Sequence, residues 1–138
     1  MKVQPYLFFD GKCDEALEFY KRALGAKVNA LMRFGEAPDQ STIKPESKNK
    51  VMHSAFQVGE TEILASDGHC LGKPSFQGFA LTIHAPNDVE AKRIFNAISD
   101  GGQVQVPLDK TFFASSFGMA SDKFGIGWMV IVDLPMKQ

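Results

Sequence analysis

The sequence predicts an α+β fold built from two tandem βαβββ modules in a mostly antiparallel sheet. Segments 3–31 and 77–108, about 75 residues apart, share one plan: an apolar strand, a short turn, an amphipathic helix, a closing glycine and another strand. Each segment is followed by two stretches of strand-like alternation joined by a tight turn. Because tight turns join antiparallel neighbours, most strand pairs should be antiparallel.

The first helix is indicated by apolar side chains that recur every three or four residues. Gly25 follows the last of them, where a left-handed C-cap residue is needed. Such spacing gives the helix one buried stripe, which should pack on a sheet. The stripe consists of Ala16, Leu17, Tyr20, Ala23 and Leu24.

The second helix repeats this pattern. Asn87 should cap its N-terminus, with Glu90 three residues later as the reciprocal partner, and Gly101 and Gly102 follow its end. Its buried stripe consists of Ala91, Ile94, Phe95 and Ile98.

The remaining segments predict hairpins. Residues 51–58 and 61–67 flank Gly59 and Glu60, and residues 111–122 and 125–132 occupy the corresponding places in the second half. Residues 35–50 hold two prolines and almost no large apolar side chain, so they should form a long exposed loop. A lid and a tolerated insertion are equally open interpretations of this loop.

The length of 138 residues fits one domain, with module one at about 1–68, a linker at about 69–77 and module two at about 78–138. A formal charge of −1 gives no basic excess for binding nucleic acid. No segment approaches the length of a membrane span, so we expect a cytoplasmic protein without a membrane partner. Cys13 and Cys70 lie far apart outside any CxxC spacing, and we expect two free thiols.

The motifs YLFFDGKCDEALEFYKRALGA, VMHSAFQVGETEILASD and SDKFGIGWMV, together with the doubled plan, resemble the PhnB-like branch of the glyoxalase/bleomycin-resistance superfamily, also called vicinal oxygen chelate. The resemblance covers essentially the whole chain. It implies a curved, U-shaped sheet of the glyoxalase/bleomycin-resistance/dihydroxybiphenyl-dioxygenase type, in which modules of one chain or of a homodimer surround a cavity. In metal-dependent members, two His and two Glu line that cavity.

The resemblance places the four metal ligands at Pro5 or Tyr6, at Ile63 or Ala65, at Phe79 and at Met129. Proline, isoleucine, alanine and phenylalanine offer no side-chain donor, and a thioether is too soft for such sites. A shift of one residue should add only the hydroxyl of Tyr6. We therefore expect no metal site and no cofactor.

Three histidines remain as candidates for acid–base chemistry. His53 is favoured, because the resembled branch carries a V-M-H segment in this strand and its face could meet the cavity, and an imidazole suits proton transfer near neutral pH. His84 ends a strand. His69 lies beside Cys70, but adjacent residues rarely form a nucleophile–base pair.

Two other features narrow the chemistry. The chain has neither a GxxxxGK[ST] nor a GxGxxG motif, so nothing in it supports a nucleotide-dependent methyl transfer. Ser115 and Ser116 stand where similar PhnB-like sequences carry a charged side chain, and this favours a neutral or apolar ligand.

Three functions stay open. The first is a metal-free protein that binds a small, largely apolar ligand in a cavity at the dimer or module interface. The second is a lyase, isomerase or transferase-like enzyme that acts on a small oxygenated metabolite with His53 or Tyr6 as the acid–base group. The third is a dimeric module without a cavity that has a structural or regulatory role. The expected ligand-binding residues are Tyr6, Phe8, His53, Ala65, Phe79, Phe113 and Met129.

Overall fold

The computed structural model describes residues 1–68 and 74–134 and contains the predicted order of elements twice. The first module comprises β1 (Tyr6–Phe8), α1 (Cys13–Leu24), β2 (Lys27–Arg33), β3 (Val51–Val58) and β4 (Thr61–Ser66). The second comprises β5 (Leu81–His84), α2 (Asp88–Ser99), β6 (Gln103–Asp109), β7 (Ala114–Ser121) and β8 (Gly127–Asp133). The α+β prediction and the βαβββ order are confirmed.

Each module has its own four-stranded sheet. The strand order is β1-β4-β3-β2 in the first sheet and β5-β8-β7-β6 in the second. The β1–β4 and β5–β8 pairs are parallel and the others are antiparallel, so both sheets are mostly antiparallel as predicted. The chain divides into two compact units, Met1–Pro74 and Ser75–Gln138. That the two modules make one domain stays a prediction.

Helix α1 buries four of the five predicted stripe residues on its own sheet, and the fifth, Leu24, is partly exposed. Tyr20 is fully buried and stacks on Phe56 of β3, with ring centroids 5.5 Å apart and planes 13° from parallel. Gly25 adopts φ 66°, the left-handed conformation predicted for the C-cap, and its N–H donates to the carbonyl of Lys21.

The start of α1 is held by a distant carboxylate. Lys12 occupies the N-cap position without a side-chain hydrogen bond. Oδ1 of Asp67 instead accepts from the N–H groups of Gly11 and Cys13, at 2.7 and 2.9 Å, and its Oδ2 accepts from Val51 N at 3.0 Å. A negative charge at a helix N-terminus is stabilising. Through these three hydrogen bonds, Asp67 also joins the β1–α1 turn to the start of β3.

Helix α2 begins as the sequence predicts, because Oδ1 of Asn87 accepts from Glu90 N at 2.8 Å. The predicted reciprocal bond is wrong, since the Glu90 carboxylate pairs with Arg93 at 2.7 Å. The helix packs on its sheet through Ala91 and Phe95. Each of the two helices has 12 residues, and none in the described part of the chain is long and apolar enough to span a membrane.

Both strands of the second hairpin start later than predicted. Strand β7 starts at residue 114, not 111, because the hydroxyl of Thr111 accepts from the N–H groups of Phe113 and Ala114. Strand β8 starts at residue 127, because the Asp122 carboxylate accepts from Phe124 N and Ile126 N and extends the turn.

The loop of residues 35–50 is mostly exposed, as predicted, but it is internally ordered. It contains or adjoins two 3₁₀ turns, Phe34–Glu36 and Pro45–Ser47. Its ends are joined by a bond from Gly35 N to the Lys48 carbonyl, at 2.9 Å. Arg33 connects this loop to α1. Its Nη1 donates to Asn49 O at 2.7 Å, and both terminal nitrogens donate to the Asp14 carboxylate of α1.

The Asp14–Arg33 pair should make a small part of the stability pH-dependent. The hydrogen bond from Arg33 lowers the pKa of Asp14 below its ordinary value of 3.8. A carboxyl whose pKa is lowered by folding stabilises the fold above the unfolded-state pKa and loses that contribution as the pH falls through the folded-state pKa. Because half of the Asp14 side chain is exposed, solvent screening limits the effect to less than about 1 kcal/mol.

Urea unfolding of Asp14→Asn and of the unchanged chain between pH 7 and pH 2.5 measures this contribution. We expect the two stabilities to differ at pH 7 and to converge below about pH 4, near the ordinary carboxyl range. Glu18→Gln, which removes an exposed pair with Lys21 on the same helix, is the matched control. If the difference in unfolding free energy between Asp14→Asn and the unchanged chain stayed the same at pH 2.5, the pH dependence would not come from the Asp14–Arg33 pair.

Candidate functional site

The first sheet has one face under α1 and a second, distal face. Leu7 of β1 and Phe56 of β3 are buried under the helix. Because successive side chains alternate across a strand, their neighbours along each strand lie on the distal face. The distal face of the first sheet is formed by Tyr6, Phe8, His53, Ala55, Glu62 and Leu64.

Three predicted site residues meet on this distal face. The hydroxyl of Tyr6 and Nδ1 of His53 are 3.0 Å apart, a hydrogen bond between residues 47 positions apart in sequence. The Phe8 ring stacks on Tyr6 with a centroid distance of 4.8 Å. All three side chains are partly exposed. The arrangement therefore couples a phenol to an imidazole beside an aromatic surface.

A polar corner at one end of the same face was not anticipated from the sequence. The Glu62 carboxylate accepts from Asn29 Nδ2 at 3.0 Å and from Gln4 Nε2 at 3.2 Å. These hydrogen bonds, Asn29 first and Gln4 second, hold the pKa of Glu62 below its ordinary value. Smaller contributions come from the charges of Lys2 and His53. The expectation that a shift of one residue adds only Tyr6 was wrong, because Glu62 precedes Ile63.

Ala65 does not lie on the distal face, and this placement corrects its predicted role in ligand binding. Ala65 pairs with Ser54, and Ile63 pairs with Phe56, which stacks under α1. Ala65 is fully buried and Ile63 is 4% exposed. Leu64, between them, occupies the place in β4 that faces the same way as Tyr6.

In the second sheet, Met129 lies on the distal face, which is the face turned away from α2. It pairs with Met119 of β7 and with Thr82 of β5, whose Oγ1 is 3.8 Å from the Met129 sulfur. Trp128 and Val130, on either side of it, are buried. The alternation predicted for β8 is therefore confirmed.

Phe79 and Phe113, the two phenylalanines of the second module that were predicted to bind ligand, lie far apart in the sequence. Phe79 precedes β5 and is 47% exposed, whereas Phe113 precedes β7 and is 44% exposed. Phe113 packs edge-on against Phe117 of β7, at a centroid distance of 5.2 Å. Phe79 lines a pocket beside the β7–β8 turn, of about 340 Å³, together with Phe76, Gln105, Met119, Ser121 and Trp128.

His84 forms a pair that the sequence did not indicate. Its Nδ1 lies 2.8 Å from Oδ2 of Asp133, at the far end of β8, and both side chains are about 60% exposed. Such an exposed pair contributes little to stability. The pairing of β5 with β8 brings these residues together across 49 positions, which no local spacing could show.

The two serines of β7 have a structural role in the fold. Ser115 and Ser116 both donate to Oδ1 of Asp88, at 2.7 and 2.6 Å. These bonds, Ser116 first, lower the pKa of Asp88 below its ordinary value. They tie the first turn of α2 to the strand beneath it.

The thiols offer no support for nucleophilic chemistry. Cys13 is free and fully buried, and burial raises the pKa of its thiol to about 12. A thiol that stays protonated is a poor nucleophile. Cys70 and its neighbour His69 lie outside the described residues, so their proposed pairing stays an expectation.

The donor set does not suit the metal centre of the metal-dependent relatives. Across residues 1–68 and 74–134, no group of three or more His, Cys, Asp or Glu side chains could hold a metal ion. Glu62, the carboxylate on the distal face of the first sheet, is already hydrogen-bonded by two amides. Met129 and Phe79 offer no hard donor at the remaining positions.

Comparisons with known proteins agree with this fold. The family model described as 3-demethylubiquinone-9 3-methyltransferase matches residues 1–131. Protein YjdN of Escherichia coli is 32% identical over 140 aligned positions, which cover 96% of this chain and 95% of the relative.

Solved structures show the same architecture. A Pseudomonas aeruginosa protein superposes with a TM-score of 0.85 at 38% identity, covering 96% of this chain and 98% of its own. The PhnB protein of Bacillus cereus superposes with a TM-score of 0.80 at 22% identity, covering 96% and 99%. A glyoxylase/bleomycin resistance protein/dioxygenase domain from Frankia shares the fold, with a TM-score of 0.68 at 14% identity and coverage of 99% and 95%. The chain therefore belongs to the family described as 3-demethylubiquinone-9 3-methyltransferase, and it shares its fold with the PhnB protein and with the glyoxylase/bleomycin resistance protein/dioxygenase domain.

Proposed function

We propose that this protein binds a small, largely apolar molecule on the distal faces of its sheets, without a metal ion, and acts as a homodimer. The observation that carries the proposal is the character of these faces: aromatic and thioether side chains surround a few polar groups. Ligand sites in proteins have this composition, with polar groups that fix the orientation of the ligand.

The supporting contacts come from each module separately. In the first, the stacked rings of Phe8 and Tyr6 provide the apolar surface, and the Tyr6–His53 pair provides the polar groups. In the second, the 340 Å³ pocket beside the β7–β8 turn lies within the size range of small-molecule sites. Met119 lines it and pairs with Met129.

The family's description names a methyl transfer, which we leave out of the proposal. Methyl transfer would need a site for a methyl donor, and the chain lacks the glycine-rich loop that binds nucleotide-like donors in parallel α/β sheets. The absence of hard donors at the family's ligand positions likewise favours binding without a metal.

A thermal-shift screen of small aromatic, keto and phosphonate compounds tests the proposal. A ligand that binds the native state at a hundredfold excess over its dissociation constant should stabilise it by about 2.7 kcal/mol. We expect neutral aromatic compounds to raise the melting temperature, and Phe8→Ser and Met129→Ser to reduce the shift. Val89→Ser is the matched control, because Val89 is an apolar residue of α2 and is 80% exposed.

Three results would each contradict a part of the proposal. Stoichiometric zinc, nickel, manganese or iron in the purified protein would overturn the metal-free part. Equal ligand shifts in all three variants would remove the distal faces as the site. Native mass spectrometry should show a dimer, and a monomer at micromolar concentration would overturn that part.

A second candidate function is an enzyme that acts on a small oxygenated metabolite. The 3.0 Å contact between Tyr6 and His53 favours it, because a phenol and an imidazole in hydrogen-bond reach can pass a proton between them. Both side chains are partly exposed, so a bound molecule could reach them.

A further inference from the structure

We propose that Tyr6 and His53 form a two-point proton relay that interconverts the keto and enol forms of a neutral carbonyl compound. The inference rests on the proposed binding site, since the substrate must sit on the distal face of the first sheet. It adds to that proposal a reaction and a class of substrate.

The hydrogen bond between the two side chains is the basis of the relay. Nδ1 of His53 faces the Tyr6 hydroxyl at 3.0 Å, and among the described residues Tyr6 is the hydrogen-bond partner of this ring. Nε2 is therefore left for a ligand. A neutral imidazole carries its proton on one nitrogen and a lone pair on the other. When Nδ1 carries the proton and donates to the Tyr6 oxygen, the hydroxyl hydrogen is free to donate, and Nε2 is free to accept.

These two groups match the two ends of a keto–enol conversion. Nε2 takes the proton from the carbon beside the carbonyl, and the electrons of that C–H bond form the C=C bond of the enol. The carbonyl π electrons move to oxygen, which takes the Tyr6 hydroxyl proton. The Tyr6 oxygen in turn takes the proton of Nδ1. The products are the enol, a neutral phenol and a neutral imidazole with its proton on Nε2, so the step needs no other reactant.

Glu62 is assigned an electrostatic role in this step. Hydrogen bonds from Asn29, at 3.0 Å, and from Gln4, at 3.2 Å, hold the pKa of this carboxyl below its ordinary value, so it stays ionised on the same sheet face as His53. While Nε2 accepts the proton ahead of the transfer from Nδ1, the ring becomes partly positive. A carboxylate on the same face favours that charge. Glu62 is a positioning residue, because it acts through His53.

The same surroundings indicate the class of substrate. The stacked rings of Phe8 and Tyr6 favour an aromatic or otherwise apolar group next to the carbonyl. The negative charge of Glu62 disfavours a substrate that carries its own carboxylate. The positive charge of Lys2 makes only a small contribution at Glu62 and does not reverse this preference. The substrate that fits this surface best is a neutral ketone whose reactive carbon lies between the carbonyl group and an aromatic ring, because both groups make its C–H bond more acidic.

The test measures hydrogen–deuterium exchange at the benzylic α-carbon of 2-tetralone in D2O by proton NMR. General acid–base catalysis by a positioned side chain contributes about 10²–10⁴-fold in rate. The full chain should accelerate exchange at least tenfold over the same concentration of free imidazole. His53→Gln should lower the protein-dependent rate about a hundredfold, Tyr6→Phe at least tenfold, and Glu62→Gln a few-fold.

His84→Gln is the matched control, because His84 is an exposed histidine paired with Asp133 and should leave the rate unchanged. Thermal shifts with 2-tetralone in the same samples separate the two proposals. Binding without accelerated exchange overturns the relay and leaves the binding proposal standing. If 2-tetralone shows neither a thermal shift nor accelerated exchange, the relay and its class of substrate are overturned. The wider ligand screen then decides the binding proposal. An undiminished rate in His53→Gln also overturns the relay.

Discussion

Replacing Asp122 by asparagine is expected to destabilise the protein by about 2–4 kcal/mol, because a buried carboxylate that accepts charge-assisted hydrogen bonds is lost. Asp122 is 3% exposed. Its Oδ1 accepts from the backbone N–H groups of Phe124 and Ile126, and its Oδ2 accepts from the indole N–H of Trp128 at 2.9 Å. An asparagine can keep the first two bonds through its oxygen, but it then presents an N–H₂ group to the indole N–H.

Trp128→Phe provides the matched background for this change. Without the indole N–H, the donor–donor conflict disappears, so Asp122→Asn should cost at least about 1 kcal/mol less than it costs with Trp128 present. Urea unfolding of the four proteins measures both quantities. Equal costs in the two backgrounds would contradict the assignment of the Trp128 bond. A loss below about 1 kcal/mol in the single variant would contradict the central role of Asp122 in this turn.

Replacing Gly102 by alanine is expected to cost about 2–3 kcal/mol or more. Gly102 lies between α2 and β6, directly beside the end of β7. An added Cβ would overlap the carbonyl oxygen of Ser121 and come within 2.8 Å of the carbonyl carbon of Asp122. These are backbone atoms, so no side chain can move aside, and overpacking of this kind forces backbone shifts.

Gly127→Ala is the control for this second change. A Cβ at Gly127 would meet Phe79 O at 3.4 Å and Ala80 Cβ at 3.7 Å, which are ordinary contacts. The substitution also reduces the freedom of the unfolded chain, so its net effect should stay within about 1 kcal/mol of zero. Thermal and urea unfolding compare the two variants. Similar losses in both would show that the close approach at Gly102 has no special cost.

The elements of this protein could be predicted because their patterns are local. The stripe of α1 and the glycine after it specify a helix and its end, and Asn87 specifies the start of α2. The separation of Trp128 from Met129 across β8 follows from strict alternation. Strand starts were less predictable, because the Thr111 and Asp122 side chains accept hydrogen bonds from backbone N–H groups and lengthen the turns before β7 and β8, respectively.

The face of a strand was harder to predict where apolar residues run without a break. In β4, Ile63, Leu64 and Ala65 are all apolar, so the sequence alone does not show which of them lie under the helix. The packing of α1 on Phe56, which pairs with Ile63, decides this and buries Ala65. The same decision places Glu62 beside Leu64 on the distal face, where it was not expected.

The sequence by itself determined the doubled βαβββ plan and the positions of both helices. Both follow from hydrophobic periodicity, capping residues and side-chain chemistry, which are local features of the sequence. Only the tertiary structure decided that Tyr6 meets His53 and that Asp67 holds the start of α1. These contacts join residues 47 and 54 positions apart, and strand register, a property of the folded sheet, brings them within hydrogen-bond distance.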